Sequence, residues 1–524
     1  MASDYDVLVV GSGFGGSVAA LRLSEKGYKV AVLEAGKRFR PQDFAETSWD
    51  LRRFLFWPAI GCYGIQRITL MRHVMVLAGA GVGGGSLVYA NTLLVPPAPF
   101  FRDPQWAALD PDWRTTLAPH YATAKQMLGV ATNPKQWRAD EALADYGREL
   151  GRADRFHLTE VGVFFGEPGV EVDDPYFGGK GPRRVGCTHT GHCMVGCKNG
   201  GKNSLDRNYL YLAEALGAQI IPDTTVTDLV PRDGGYDVVA RRTSGLWSHP
   251  QTVYRAARVV LAAGALGTNR ILMRARDRGH LPKLSARLGT LVRTNSEILN
   301  GLMSNTRGYD YSRGIAITSG LWVDEQTHVE PVRYPKGSGL MLMLGTLMVD
   351  AGGRVPRWLK WLGAVVRQPL RFLRTLWPFH RAENSTICLV MQNADNHLEL
   401  KYERRWWWPF AKRLTTDVGA GRLPTTIPAG DAAAKAIARR LDAVPLSAVT
   451  DILLDTPITA HILGGCAIGR DPEAGVVDKH CRVFGYDNLY VVDGAMIPAN
   501  LGVNPGLTIT AIAEYAMSQI AKKA

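Results

Sequence analysis

No stretch of this 524-residue chain stays apolar for the roughly 18–20 residues that a membrane-spanning helix needs. No low-complexity tract interrupts it, and 46% hydrophobic with 21% charged residues is the balance of a globular protein. Cysteine is scarce, at 7 residues, three of them between 187 and 197. That distribution argues against a disulfide framework and for a reducing compartment. No signal peptide precedes the first strand-like segment, so a cytoplasmic location is expected. Nucleic-acid-binding motifs are also missing, although a net charge of +13 suits either nucleic acid or an anionic membrane.

What is abundant is glycine, 56 residues, much of it in short clusters that suit backbone pressed against a cofactor. The first cluster, Gly11-Ser-Gly13-Phe14-Gly15-Gly16, lies between a strand-like Tyr5–Val10 and a helix-like 17–26. Glycine serves there for the tight turn, for close approach of backbone to a pyrophosphate, and for packing of helix on strand. The helix start offers unpaired N–H groups and partial positive charge to the phosphates. A second strand, Val30–Leu33, ends at Glu34, the expected place for a carboxylate that binds ribose hydroxyls. This unit predicts a Rossmann-type dinucleotide site; by itself it does not separate NAD from FAD.

Later segments decide between the two. Gly79-Ala-Gly81-Val-Gly83-Gly84-Gly85-Ser86, with Asn91 beyond it, suits a loop running under a flat ring system. The strand-like 257–263 closes on Gly264-Ala-Leu-Gly267, and Asn488–Val492 leads into Asp493-Gly494 and then Gly502-Val-Asn504-Pro505-Gly506. With these motifs in this order, and with His461 preceding Asn504, the chain resembles the glucose–methanol–choline (GMC) oxidoreductases along essentially its whole length. Within that family it is similar to the cholesterol oxidase-like branch.

The resemblance implies an α/β fold, with a Rossmann-type FAD-binding domain and a discontinuous α+β substrate domain, of the GMC/p-hydroxybenzoate hydroxylase-like architecture. The FAD-binding domain would comprise 1–100, 185–290 and 455–524; the substrate domain would comprise 101–184 and 291–454. FAD would lie against Gly11, Gly13, Phe14, Gly15, Gly16 and Glu34, then Gly79, Gly81, Gly83, Gly84, Ser86 and Asn91. Val226, Gly264, Asp493, Gly494 and Asn504 complete the implied set.

The chain size requires two or more packed domains on its own account. The reaction implied is oxidation of a secondary alcohol, with a sterol 3β-hydroxyl as the leading substrate and Δ5 to Δ4 isomerisation as a second step. Other hydrophobic alcohols (a terpenoid, a long-chain alcohol, another hydroxysteroid) and a non-redox lyase are the alternatives.

Alcohol oxidation needs the hydroxyl proton taken up while hydride leaves the carbinol carbon, which suits a group titrating near neutrality. His461, in Thr-Ala-His461-Ile-Leu-Gly464-Gly465, and Asn504 match the family's His/Asn pair. Glu330, in His-Val-Glu330-Pro-Val, sits in a stretch like that of the proton-shuttling glutamate of cholesterol oxidases. Its bland alternative is a salt-bridged surface group.

Cys187, Cys193 and Cys197 form a C-x5-C-x3-C loop among histidines and glycines. Thiolates so close in sequence suit zinc or an iron–sulfur cluster, and the resemblance to family members with a comparable cysteine-rich loop implies an iron–sulfur cluster, of the 3Fe-4S or 4Fe-4S type, with zinc or plain thiols as alternatives. Such a cluster would pass electrons to a protein or quinone acceptor.

The segment 354–381 is rich in arginine and tryptophan, without an acidic residue up to Trp377. A basic amphipathic helix with Trp358, Trp361, Leu362 and Val365 on one face predicts peripheral membrane contact, with core packing as the alternative. Trp406, Trp407 and Trp408 would extend that patch.

Overall fold

Strands Tyr5–Val10 and Val30–Leu33 are buried along nearly their whole length, as parallel strands covered by helices on both faces must be. The structure is a computed structural model describing residues 4–245, 250–306, 308–405, 408–419 and 422–524. Side chains at 405, 408 and 409 are also outside the description, so the Trp406–Trp408 expectation falls beyond the described residues.

The first sheet has seven strands. Its parallel part runs Gln219–Ile221, Val30–Leu33, Tyr5–Val10, Gln251–Leu261 and Leu489–Val491, so chain segments far apart in sequence share one sheet. The long strand Gln251–Leu261 continues past its parallel partners into an antiparallel meander with Gly235–Arg242 and Thr224–Arg232. Helices Phe14–Glu25 and Gly506–Ser518 pack on each other beside this sheet.

A second seven-stranded sheet is antiparallel, in the order Gly345–Leu347, Ala443–Ala448, Ile298–Ser304, Ser385–Gln392, Thr327–Val332, Ser319–Trp322, Phe156–Leu158. One face, with Ile298, Val329 and Val390, packs on helices Arg138–Glu149 and Pro428–Arg440. Side chains alternate along a strand, so the other face carries Glu330, Val332, Ile387, Leu389 and Leu299. That face turns toward the first domain.

The boundary expected at residue 100 cuts through a shared core. Phe100, Trp106, Trp113, Leu117 and Tyr121 belong to the same hydrophobic cluster as the Rossmann strands, and helix Trp113–Met127 packs on Gly506–Ser518. Burial of those aromatics draws the segment onto the nucleotide-binding domain.

Candidate active site

The nucleotide end is assembled by close backbone approach. A Cβ on Gly15 would lie 1.6 Å from the Val492 carbonyl oxygen, so only glycine lets the helix start sit on the turn after Leu489–Val491. A Cβ on Gly13 would meet nothing within 4 Å, which leaves open space at the helix start where a pyrophosphate fits. No side chain caps that helix. Gly11 has φ +98 and Gly16 packs against it; Phe14 leans on Tyr89 at 5.6 Å in an edge-on contact.

Glu34 is buried, and its carboxylate gathers the surrounding loops. Oε2 accepts from the Ser12 N–H (3.0 Å) and hydroxyl (2.7 Å), while Oε1 accepts from Gly36 N–H (2.8 Å) and Gly81 N–H (3.4 Å). The acidic residue therefore ties the first glycine loop to the second. Within the second loop, Gly79 and Gly84 touch, and Gly81 and Gly83 take left-handed φ values. Ser86 Oγ donates to Gly83 O (2.7 Å) and accepts from Leu205 N–H (3.0 Å).

Asn91 has φ +72 and is wholly buried; its amide N–H side faces the Cys193 thiol, while its Oδ1 has no hydrogen bond within the chain. Buried amides are otherwise paired, so this one fits a ligand such as the flavin. Gly264 heads helix Ala265–Asp277 with open space over it. Asp493 accepts from Thr268 Oγ (2.5 Å) and Ala495 N–H (2.8 Å), and burial pushes its carboxyl up to about 6. Gly494 follows it, and its carbonyl accepts from Gly464 N–H at 2.8 Å. Val226 is half-buried at a bulge in strand Thr224–Arg232. These residues fit FAD.

His461 is held by that lacing and by the segment 293–297. Arg293 and Leu463 exchange backbone hydrogen bonds, and Thr459 Oγ donates to Thr294 O (3.0 Å) and Glu297 Oε2 (2.8 Å). His461 Nδ1 lies 3.0 Å from Glu297 Oε2. Asn295 serves the other side: its Oδ1 accepts from Leu501 and Gly502 N–H groups, and its Nδ2 donates to Val503 O. It thereby sets the loop that presents Asn504. Asn504 Nδ2 donates to Glu330 Oε2 at 3.3 Å, and Asn504 Oδ1 is buried without a partner.

Glu330 is completely buried, so the surface salt-bridge alternative is excluded. Burial, reinforced by the nearby Glu297 charge, pushes its carboxyl up to about 8, against the opposing Asn504 hydrogen bond. His328 Nδ1 lies 3.7 Å from Glu330 Oε1, but burial holds that ring well below its ordinary pKa. A neutral imidazole there cannot offset a Glu330 charge. Glu297 and His328 were missed in the sequence, where nothing distinguishes either from the other acidic residues and histidines.

On the Glu330 face of the second sheet, with none of these side chains in its lining, lies a cavity of about 50 Å³. Leu77, Leu299, Met341, Ile387, Leu446 and Ile458 give it a largely apolar lining.

The cysteine loop does not meet the cluster expectation. All three cysteines are free thiols, and among the described residues no group of three His, Cys, Asp or Glu side chains is placed to hold a metal ion. Each thiol has its own setting: Cys187 Sγ accepts from His189 N–H (3.5 Å) and Cys193 Sγ from Ala316 N–H (3.4 Å). Burial pushes Cys187 up to about 12 and Cys193 upward as well, which favours thiol over thiolate. Buried Lys202, donating to Leu87, Tyr89 and Cys193 carbonyls, ties the loop under the glycine loop.

The GMC oxidoreductase family patterns match residues 182–276 and 429–513, and a FAD binding domain pattern matches 6–48. The chain is 50% identical to a cholesterol oxidase of Mycobacterium tuberculosis, over 99% of this chain and 91% of that protein. It is 44% identical to a cholesterol oxidase of Acinetobacter baumannii, over 99% and 95%. Among solved structures, pyridoxine 4-oxidase from Mesorbium loti shares the fold at a TM-score of 0.63 and 16% identity, covering 98% of both chains. The FAD-fitting cradle, the His461/Asn504 arrangement and these similarities lead to one assignment: the chain belongs to the GMC oxidoreductase family, in its cholesterol oxidase-like branch, and is an FAD-dependent oxidoreductase acting on alcohols.

Proposed function

We propose that this protein oxidises the 3β-hydroxyl of a sterol to the ketone and then moves the double bond from Δ5 to Δ4. The observation that carries the reading is the fully buried Glu330, hydrogen-bonded to Asn504 and close to the Glu297 that lies against His461, on a sheet face that also lines an apolar cavity. When bound, FAD supplies the two-electron acceptor for the carbinol hydrogen. Gly13, Glu34, Asn91 and Asp493 would hold it.

His461 takes the hydroxyl proton as the carbon–oxygen double bond forms. Asn504 orients the substrate oxygen, and its hydrogen bond to Glu330 fixes the carboxyl near the neighbouring ring. Glu330, desolvated and titrating near 8, exchanges a proton with carbon more readily than a solvated carboxylate would.

The reading includes docking on a lipid surface. Helices Arg357–Arg367 and Pro369–Thr375 turn one side inward: Trp361 and Phe372 pack on Met303, Leu347 and Leu446, the last of which also lines the cavity. Trp361 is thus half-buried against the second sheet, its indole donating to Thr346 Oγ (2.9 Å), which turns it away from its expected place on the lipid face. The outer side exposes Trp358 and Leu362 of the expected face together with Leu359, Val366, Leu370, Leu373 and Trp377, among Arg354, Arg367 and Arg371. An apolar stripe with basic flanks suits an interfacial binder, and a barely soluble substrate would enter from that side. Among the described residues no helix is long and apolar enough to cross a membrane.

The test is incubation of purified protein with cholesterol and separation of products. The Δ4-3-ketone is expected; turnover confined to primary or linear alcohols would overturn the reading.

A further inference from the structure

We infer that Glu297 is a positioning residue for His461, fixing the ring so that Nδ1 carries a proton toward the carboxylate and Nε2 meets the substrate hydroxyl. The inference rests on His461 being the proton-handling group.

Glu297 sits immediately before strand Ile298–Ser304 and is buried to 2% exposure. Its Oε2 accepts from Thr459 Oγ (2.8 Å) and Ala460 N–H (3.1 Å), both in the segment that leads into His461. The same oxygen is 3.0 Å from His461 Nδ1, but the ring N–H is not aimed along that line, so Nδ1 has no hydrogen bond. Glu297 Oε1 is likewise buried and unpartnered.

A donor and an acceptor left unpaired side by side are complementary. A small rotation of the carboxylate places Oε1 on Nδ1–H while Oε2 keeps Thr459 and Ala460. Catalytic contacts of this kind are often misaligned without substrate and tighten in its complex.

The chemistry calls for such a partner. As the hydroxyl proton passes to Nε2, bound FAD would take the carbinol hydrogen as hydride, and the alcohol carbon would become the ketone. The imidazole then carries an extra proton, and a buried carboxylate on Nδ1 stabilises that cation and sets the reactive tautomer beforehand. A carboxylate serving structure alone would need only Oε2. Burying a charge with one oxygen unpaired is costly unless something else uses it.

Glu297→Gln keeps an oxygen for Thr459 and Ala460 but removes the charge. Flavin content and sterol affinity should stay near the parent's, while anaerobic flavin reduction slows by roughly 10²–10⁴-fold. Nitrogen-15 spectra of histidine-labelled protein, with the His461 signals assigned by their loss in His461→Gln, should show the proton leaving Nδ1. Glu297→Asp should restore the Nδ1–H signature and recover part of the rate. This second variant decides the matter if the glutamine form does not fold. Parent-like reduction, or unchanged His461 signals in Glu297→Gln, would overturn the inference. The spectra need no substrate, so a failure of the sterol reading alone leaves them decisive.

Discussion

Asn504 Nδ2 donates to Glu330 Oε2 at 3.3 Å, joining the loop before the last helix to the middle of strand Thr327–Val332 across 174 residues of sequence. The bond favours the ionised carboxylate, yet burial and the Glu297 charge outweigh it and raise Glu330 to about 8. Two buried carboxylates thus sit close together in different circumstances. Glu297 is bonded to the His461 segment, and Glu330 retains its proton at neutral pH. Such divergence is how one site supports two proton-transfer roles.

Glu330→Gln separates those roles. The variant should retain flavin and oxidise sterol within about tenfold of the parent, because His461 handles the hydroxyl proton, while Δ5-3-ketone accumulates. Chromatography of timed samples checks this; a parent-like product mixture would assign the isomerisation elsewhere.

The same group makes a prediction about stability. Its folded pKa, about 8, lies above the ordinary glutamate value. Between those values the folded state holds a proton that the unfolded chain releases, so rising pH weakens the fold through this group. The cost is absent below the unfolded pKa and complete above about 8. Glu330→Gln should therefore gain apparent unfolding temperature relative to the parent as pH climbs from 5 to 9, at one scan rate. An offset independent of pH would contradict the assignment.

Among the described residues Cys187, Cys193 and Cys197 are not placed as a metal-holding group, so iron and acid-labile sulfide in anaerobically purified protein test the cluster expectation, and this geometry predicts flavin without stoichiometric iron. Cys193→Ser should keep turnover within a few-fold of the parent, whatever the acceptor dye. Stoichiometric iron, with turnover lost in the serine variant, would restore the cluster reading.

Lipid docking should depend on the exposed stripe. Leu362→Glu with Val366→Glu should reduce sedimentation with anionic vesicles at least tenfold and slow turnover of vesicle-borne sterol, while detergent-dispersed sterol is oxidised as before. Unchanged vesicle binding would remove the helix pair from the membrane account.

Much of the fold was legible because glycine and periodicity report local geometry. The cluster from Gly11 to Gly16, the carboxylate at Glu34 and the buried runs Tyr5–Val10 and Val30–Leu33 each carry a backbone requirement readable in a short window. Glu297 was not legible, since its importance lies in proximity to His461, 164 residues away. The helix at Arg357–Arg367 was read as amphipathic, and Trp358 and Leu362 of the expected face are exposed, but Trp361 packs inward, because only tertiary contacts decide which of several apolar side chains is covered. The cysteine loop is less legible, since short spacing brings thiols near one another without by itself aiming them at a common point, and among the described residues they make no three-ligand group.

The most direct test is an anaerobic titration of the flavin-loaded protein with cholesterol, followed by absorbance. The flavin band should bleach with one equivalent of sterol in the parent. In His461→Gln, with the same flavin content, bleaching should be slower by roughly 10²–10⁴-fold. A flavin band untouched by sterol, or bleached as fast without His461, would contradict the account.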